Sequence, residues 1–457
     1  MKVKKAYFCG ACGYEAPKWL GRCPSCGQWN TFTEEVVSRG TESRPAGQAS
    51  PAARPVRIAD IEDNELPRIS LGVGEADRVL GGGMVPGALV LLGGEPGIGK
   101  STLSLQIALG AAGLRTLYVS GEESPAQIKL RAARLTGGGE PVGECLVYGE
   151  TLLENILAQI EAAEPQLVVI DSIQTVYSRV IDSSAGSVSQ IRECAAVLLR
   201  QAKTSGVPIL LIGHITKEGA IAGPKILEHI VDVVLQFEGD GSNSYRILRG
   251  VKNRFGATQE IGVFEMRGDG LREVGNPSEI LLTHHDEALP GVAVGATVDG
   301  IRPYLIEVQA LVGGAAYGTP QRVATGFDSR RLGMLIAVME KRLGLKLGMK
   351  DVFLNFAGGF RVQDTGLDAA VVAAVASSYF DRPIAPWTCC CGEVGLSGEL
   401  RPAPRSEQRI AEAARLGFRR IIVPSYLKRA RIRIPEEIEV VYADGIRAVP
   451  AALFGNE

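Results

Sequence analysis

The sequence predicts an α/β protein with a mostly parallel sheet and helices on its faces, preceded by a small metal-binding segment. Three observations predict it. Between residues 57 and 275, short apolar runs typical of buried strands alternate with stretches of helical spacing. A glycine-rich loop at residues 94–102 joins one such strand to one such helix. Four cysteines within the first 26 residues form two closely spaced pairs.

Length and composition indicate a soluble globular protein of more than one domain. A chain of 457 residues exceeds one ordinary core and predicts two or three domains. Its 46% hydrophobic and 22% charged residues are typical of globular proteins, and a net charge of −2 restricts any nucleic-acid surface to a local patch. No apolar run reaches the roughly 18 residues that span a membrane. No signal-like core follows the first residues, so we expect a cytoplasmic location without membrane partners.

The N-terminal segment has the cysteine spacing of a zinc ribbon. The spacing C-x2-C-x10-C-x2-C involves Cys9, Cys12, Cys23 and Cys26. Two thiolate pairs so spaced predict a tetrahedral Zn²⁺ site rather than disulfides, since no signal peptide precedes them. Residues 1–36 are too few to bury a core, so we expect zinc to hold them together. Ribbons of this size dock on protein or on nucleic acid, and both remain open. Residues 37–56 carry few large apolar side chains and predict a flexible linker.

The glycine-rich loop fits the phosphate-binding pattern G-x-x-x-x-G-K-[S/T] and follows an apolar strand at residues 88–92. The loop comprises Gly94, Glu95, Pro96, Gly97, Ile98, Gly99, Lys100, Ser101 and Thr102. A helix after the loop turns free amides and its positive end toward an anion. We expect Lys100 to lie between the β- and γ-phosphates of ATP and the Ser101 hydroxyl to ligate Mg²⁺. Because strand, loop and helix agree, a nucleotide site is favoured over a chance glycine-rich turn.

A second strand, at residues 116–120, is predicted to deliver two carboxylates to the same edge of the sheet. Ligands sit at the carboxyl ends of strands in such folds. A carboxylate facing the γ-phosphate polarises the attacking water, and we choose Glu122 for this role. Glu123 is the alternate, and the simpler interpretation is that both are solvated loop acids.

Two more strands end in polar residues at this edge. The strand at 167–171 ends in Asp171, which we expect to reach the Mg²⁺ shell through water or Ser101. Another strand at 208–213 precedes His214. This histidine either senses the γ-phosphate at the strand tip or is a structural histidine.

Three connecting segments have the composition of surfaces that face a partner. Residues 177–189 are rich in Ser and Gly, and residues 216–229 combine glycines with two lysines. Both suit loops that track a phosphate backbone, although ordinary surface loops look the same. After a strand predicted at 245–249, Lys252 and Arg254 lie on a short turn. Such cations can reach a neighbouring subunit's nucleotide and stabilise its transferring phosphoryl group, which requires a ring or a filament.

Four motifs occur together in this chain. They are the cysteine spacing with Trp-Asn-Thr at 29–31, the loop at 94–102, Gly-Glu-Glu-Ser at 121–124 and Lys-Asn-Arg-Phe-Gly at 252–256. The combination resembles the bacterial recombination and repair family RadA, also called Sms, essentially from end to end. The resemblance implies a hexameric RecA-like P-loop ATPase core that acts with RecA as a helicase on single-stranded and branched DNA, promoting branch migration. It also implies nucleotide and metal roles for Lys100, Ser101, Asp171 and Glu122, and a signature turn with Lys252 and Arg254.

The last part of the chain, residues 285–457, resembles the α+β proteolytic domain of Lon. The similarity lies in a hairpin at 392–402 and a helix at 406–416. Proteolysis of this type needs a serine activated by a lysine. Matching the motifs puts Gly366 or Leu367 at the serine position and Glu407 at the lysine position. We therefore expect a scaffold without peptidase activity.

Two clusters of positive charge lie in this part. The first contains Arg330, Arg331, Lys341, Arg342, Lys346 and Lys350, and the second contains Lys428, Arg429, Arg431 and Arg433. They line a duplex-DNA surface or are solvated faces, and both interpretations stay open.

Three classes of function therefore compete. A DNA-stimulated motor is favoured by the ribbon, the turn and the two loops. An ATP-dependent protease is opposed by the missing serine and lysine. A nucleotide switch of the KaiC-like group would hydrolyse ATP without responding to DNA.

Overall fold

A computed structural model describes most of the chain. The described residues are 4–9, 14–25, 27–37, 57, 67–214, 224–239, 245–258, 260–283, 288–315, 320–357 and 362–455. The chain divides into two compact units, Met1–Glu238 with Arg246–Glu273, and Val274–Glu457 with Gly239–Tyr245. None of the helices in the described part combines the length and apolar character that crossing a membrane requires.

The N-terminal segment is a small antiparallel sheet. Its strands, in the order β2-β1-β3, are β1 (Lys4–Cys9), β2 (Glu15–Ala16) and β3 (Phe32–Val37). Cys9 and Cys23 are buried against Ala16 and Phe32. Four buried side chains make a very small core, which is why a metal is needed to stabilise such a segment.

The rest of the first unit alternates strands and helices up to residue 239 and ends in three consecutive strands. Its elements are α1 (Gly74–Leu80), β4 (Leu89–Gly94), α2 (Lys100–Gly110), β5 (Arg115–Ser120), α3 (Pro125–Leu135), β6 (Glu144–Gly149), α4 (Leu153–Ala163), β7 (Leu167–Asp171), α5 (Val188–Ser205), β8 (Ile209–His214), α6 (Pro224–Ile230), β9 (Val233–Gly239), β10 (Tyr245–Asn253), β11 (Ile261–Arg267) and β12 (Gly270–Glu273).

These strands form one sheet in the order β12-β11-β10-β9-β4-β8-β7-β5-β6. The six from β9 to β6 are parallel. Alternate residues of β4 point to opposite faces, so Val90 and Leu92 join one core with α1 and α2. Leu89 and Leu91 join a second core with α4 and α5. Burial on both faces explains the continuous apolar runs in the sequence and confirms the predicted α/β class.

The carboxyl ends of the parallel strands meet at one edge of the sheet. Gly94 at the end of β4 is in register with His214 of β8 and with Phe237 of β9. Ser120 at the end of β5 is in register with Asp171 of β7. This edge therefore collects the predicted nucleotide-binding residues.

The second unit is α+β. Its elements are α7 (Ser278–Leu281), β13 (Val292–Asp299), β14 (Arg302–Gly314), β15 (Arg322–Thr325), α8 (Ser329–Leu343), β16 (Lys350–Phe356), α9 (Asp368–Phe380), β17 (Thr388–Cys390), β18 (Glu393–Val394), β19 (Leu400–Arg401), α10 (Ser406–Arg415), β20 (Arg420–Pro424), β21 (Glu439–Ala443) and α11 (Ala448–Phe454), with short 3₁₀ helices at Thr365–Leu367 and Ser425–Arg429.

A mixed sheet organises this unit, with strands in the order β15-β16-β14-β13-β17-β20-β21. Helix α9 is buried from Asp368 to Ser377 because its side chains are almost all Ala and Val. Gly295 in β13 permits the close packing, since a Cβ there would lie 2.4 Å from a methyl carbon of Leu367. The hairpin β18–β19 and helix α10 lie where the sequence predicts them.

Candidate functional site

The loop between β4 and α2 has the backbone geometry of an anion cradle. Gly97 and Gly99 have φ of 76° and 113°, a left-handed region that favours glycine. A Cβ on Gly94 would lie 2.6 Å from the Phe237 carbonyl oxygen, so that position also requires glycine. Gly97 is exposed, and a Cβ there would meet no atom within 4 Å. The loop leads into the N-terminal end of α2, where free backbone amides suit a phosphate.

Lys100 lies inside this cradle and is 3% exposed. Its Nζ donates to the carbonyl oxygens of Gly94 and Glu95, at 2.9 Å each. Burial lowers the pKa of Lys100 to about 8, and the charges of Asp171 and Glu122 act in the opposite direction. The ammonium group is therefore partly desolvated and held by weak acceptors that an anion can replace.

The two adjacent glutamates have different surroundings. The Ser172 hydroxyl donates to Glu122 Oε1 at 2.5 Å, which places Glu122 beside the end of β7. Glu123 forms an ion pair with Arg131 of α3. Only Glu122 faces the loop, because the Glu123 carboxylate turns to the helix that follows.

Asp171 is 5% exposed and accepts a hydrogen bond at 2.7 Å from the Tyr118 hydroxyl. Burial and the negative charge of Asp171 raise the pKa of Tyr118, so the phenol keeps its proton and remains a donor. One Asp171 oxygen is thereby fixed in orientation. Lys100, Glu122 and Asp171 lie together at the carboxyl edge. The predicted Mg²⁺ ligands Ser101 and Asp171 are hard oxygen donors that suit this ion. His214 ends β8, and its side chain is outside the described part.

A buried arginine supports the phosphate loop from β10. Arg246 is 6% exposed, and its Nε donates at 2.8 Å to the Ile98 carbonyl oxygen, 148 residues away in the sequence. Met266 of β11 packs behind Gly99, where a Cβ would lie 2.8 Å from its terminal methyl. The sequence analysis missed Arg246, because a single arginine in an alternating strand carries no local signal.

The strand before the signature turn is longer than predicted. We expected it to end at Arg249, but β10 continues to Asn253, so Lys252 belongs to the strand and only Arg254 lies in the turn. The reason is that pairing with neighbouring strands, not the turn glycine, sets where a strand ends.

The two cations of this motif make different contacts. Lys252 Nζ donates to the carbonyl oxygens of Glu228 and Val231, at 2.5 and 2.8 Å, at the C-terminal end of α6. Desolvation and the charge of Arg254 lower the pKa of Lys252. Arg254 is 54% exposed at its side chain and lies 3.4 Å from the buried Asp232 carboxylate. Of these two cations, Arg254 has the largely exposed side chain, whereas Lys252 is half-buried.

The two predicted partner loops are described to different extents. The first is shorter than the predicted 177–189, because α5 already begins at Val188. Of the second, 216–229, residues up to 223 are outside the described residues, and the remainder belongs to α6 (Pro224–Ile230).

Two of the four predicted zinc ligands, Cys9 and Cys23, are described, and both thiols are buried. The Cys9 amide donates to Tyr14 O at 3.0 Å, and the Cys23 amide donates to Gln28 O at 2.8 Å. Each of these two cysteines thus begins a tight hydrogen-bonded turn. Cys12 and Cys26 are outside the described residues. Paired thiolates on such turns fit a tetrahedral zinc site.

In the second unit, the residue beside Gly366 is Arg409. A Cβ on Gly366 would lie 2.8 Å from Arg409 Nη1, and Arg409, 2% exposed, forms an ion pair with Asp364. The motif match puts Glu407 at the lysine position, and Glu407 lies on the exposed side of α10. Neither a serine hydroxyl nor a lysine stands at this point.

One residue of the first basic cluster, Arg331, is paired with carboxylates of the protein itself. Arg331 forms an ion pair with Asp368, which is fully buried, and lies 3.7 Å from Glu393. A cation paired in this way is not available to a phosphate backbone. The second cluster is exposed throughout: Lys428, Arg429, Arg431 and Arg433.

Several known proteins are similar to this chain. A family model described as AAA domain matches residues 55–220, and one described as Rubredoxin metal binding domain matches residues 7–34. The DNA repair protein RadA of Bacillus subtilis (strain 168) is 49% identical over 457 residues, covering 99% of this chain and 98% of the relative. DNA repair protein RadA of Listeria monocytogenes serovar 1/2a is 47% identical, covering 98% of this chain and 97% of the relative. A solved KaiC-like protein from Pyrococcus horikoshii OT3 covers 46% of this chain and 99% of its own, at 21% identity and a TM-score of 0.37.

Proposed function

The chain belongs to the family of DNA repair proteins named RadA, and from that membership we propose that it is a DNA-dependent ATPase and helicase. It acts in homologous recombination and DNA repair, where it promotes branch migration of recombination intermediates. Its cofactors are ATP, Mg²⁺ and, in the ribbon, Zn²⁺. Its partners are single-stranded and branched DNA and the RecA recombinase, and it works as a homo-hexamer in the cytoplasm. The observation that carries the ATPase part of the proposal is the convergence of Lys100, Glu122 and Asp171 at one edge of the sheet.

Each residue of this site has a role in the proposed hydrolysis of ATP. When ATP binds, the Lys100 ammonium gives up its hydrogen bonds to two carbonyl oxygens and donates to phosphate oxygens instead. The buried ammonium then has a charged partner. Glu122 accepts the proton of the attacking water, and its bond to Ser172 orients the carboxylate. Ser101 would ligate Mg²⁺, and Asp171 would reach its shell through water or Ser101. The ion would neutralise charge on the phosphates. Arg246 keeps the loop backbone in position through Ile98.

Arg254 acts on the nucleotide of the next subunit in the ring. Two observations support this role: the Arg254 side chain is largely exposed, and it lies 3.4 Å from the Asp232 carboxylate. This distance indicates a weak ion pair, in which a phosphate can replace the carboxylate. A mixing experiment tests this. Lys100→Ala and Arg254→Ala subunits are each expected to be inactive alone, but a mixed ring contains interfaces with one intact loop and one intact arginine. Partial recovery of ATP hydrolysis on mixing is expected, and no recovery at any ratio would place Arg254 in its own subunit's site.

The proposal as a whole is tested by steady-state ATP hydrolysis of the zinc-loaded protein with and without single-stranded DNA. Lys100→Ala is the blank for contaminating ATPases. Stimulation by DNA that vanishes in the blank supports a motor, and strand displacement and branch migration assays then follow. Basal turnover that does not respond to DNA contradicts the proposal and favours a nucleotide switch.

The C-terminal unit serves as a scaffold without peptidase activity. This assignment is supported by the buried ion pair of Arg409 and Asp364 next to Gly366. An arginine keeps its proton, so it cannot act as the general base that a serine nucleophile needs. ATP-dependent cleavage of an unfolded protein, surviving removal of contaminating proteases, would overturn this assignment. The exposed second basic cluster contributes to DNA affinity. A steeper loss of affinity with salt in the intact chain than in a truncation without residues 285–457 is expected, and equal slopes would remove the cluster from the DNA surface.

A further inference from the structure

A single buried glutamine holds one end of the 177–187 loop, which precedes α5. Residues 178–183, which this glutamine contacts, are called the loop foot below. Gln190 is 1% exposed and lies in the first turn of that helix. Its Oε1 accepts a hydrogen bond from the Ser178 amide at 2.9 Å. Its Nε2 lies 3.0 Å from each of the carbonyl oxygens of Ser178, Ile181 and Ser183, so its two N–H groups are shared among three acceptors. One side chain thus contacts four backbone groups of a segment that has no regular secondary structure.

A second tether fixes the same foot to a different helix. The Ser178 hydroxyl donates at 2.5 Å to Glu154 Oε1 of α4 and accepts from the Val180 amide at 3.2 Å. The start of the loop is therefore held in place before any partner arrives. Preorganisation of this kind lowers the entropy lost when a segment binds.

The tethered foot is also continuous with the hydrolysis site. Ser172, which contacts Glu122, is followed by Thr175, and Thr175 Oγ1 donates to the Ser172 carbonyl oxygen at 2.8 Å. A Cβ on Gly121 would lie 2.2 Å from Thr175 Oγ1, so the backbone just before Glu122 packs directly on this turn. Close-packed groups have little free space in which to absorb a displacement, so these contacts form a path from the turn to Glu122.

We propose that Gln190 is a positioning residue that transmits DNA binding at the 177–187 loop to Glu122 at the hydrolysis site. The inference rests on the proposed function and on the prediction from the sequence that this loop tracks a DNA backbone. Gln190 contacts neither nucleotide nor DNA; it acts by holding Ser178 and Ile181. Loss of this side chain frees the loop foot and removes the DNA response of hydrolysis. The contacts of Ser172 and Thr175 that hold Glu122 do not involve Gln190, so the basal reaction remains.

The test compares the full-length zinc-loaded protein with Gln190→Ala and with Gln201→Ala, a control on the same helix. Two readouts are needed: ATP hydrolysis with and without single-stranded DNA, and DNA affinity from the fluorescence anisotropy of a labelled oligonucleotide. Gln190→Ala is expected to keep its basal rate and to lose at least about five-fold in stimulation, in the range of ordinary coupling between two sites. Its DNA affinity is expected to fall, whereas Gln201→Ala behaves as the wild type.

Two results would overturn the proposal. One is Gln190→Ala with unchanged stimulation and unchanged DNA affinity. The other is a folded Gln190→Ala protein whose basal and stimulated rates fall together, which would indicate a general structural role. If the alanine variant does not fold, Gln190→Glu, which keeps the acceptor for the Ser178 amide and loses the donor, is judged by the same two readouts. A wild type without DNA stimulation would refute the proposed function itself, whatever the variants do.

Discussion

The pKa of Lys100 leads to a quantitative prediction about ATP binding. Burial lowers this pKa to about 8 in the nucleotide-free protein. The phosphates of ATP favour the charged ammonium, so the protonated form is the one that binds. The protonated fraction is about 0.9 at pH 7 and about 0.1 at pH 9, so the apparent affinity for ATP should fall about ten-fold between these values. Affinity therefore decreases as pH rises.

Isothermal titration calorimetry of ATP binding checks this prediction. Repeating the titration at pH 8 in buffers of different ionisation enthalpy should reveal uptake of about half a proton per ATP bound, since half of the lysine must be protonated. Lys100→Arg is the matched control, because a guanidinium stays charged over this range and its affinity should not follow the same curve. Equal wild-type affinities at pH 7 and pH 9 without proton uptake would refute the reasoning.

Three further predictions concern the acids, the ribbon and the C-terminal unit. Glu122→Gln should lower ATP turnover by about 10²- to 10⁴-fold in steady-state assays without weakening nucleotide binding, whereas Glu123→Gln should keep its turnover. Equal losses in the two variants would contradict the assignment of Glu122 alone as the base. Replacing Cys9 and Cys12 by Ser should abolish bound zinc in metal analysis and leave ATP affinity nearly intact, and a large drop would mean that the ribbon packs on the nucleotide domain. Arg409→Met should destabilise the C-terminal unit by about 3–5 kcal/mol in denaturant unfolding, because it leaves a carboxylate without its buried partner; a loss below about 1 kcal/mol would show that the pair behaves as a surface one.

Motifs made of neighbouring residues were predictable from the sequence. The phosphate loop around Lys100 is a local turn whose glycines and flanking strand are visible in one window. The strand ending in Asp171 was recognised in the same way, from its apolar run. The family was recognised from motifs of this kind, and the relatives of Bacillus subtilis and Listeria monocytogenes confirm it.

Choices between similar residues were not predictable in this way. Glu122 and Glu123 are adjacent and chemically identical, and only their contacts with Ser172 and Arg131 separate them. Arg331 looked like one more surface cation until its buried partner on another helix was known. The proximity of Arg409 to Gly366 depends on which face of α10 points inward, and only the packing of that helix decides this.

The sequence by itself determined the class of the fold, the phosphate loop and the family, because each depends on the periodicity of the chain or on residues close together in it. The tertiary structure alone decided which side chains support the site. Arg246 meets Ile98 across 148 residues, and Gln190 reaches back over the loop to Ser178. Such contacts leave no local pattern, because they depend on where the sheet brings distant strands and helices together.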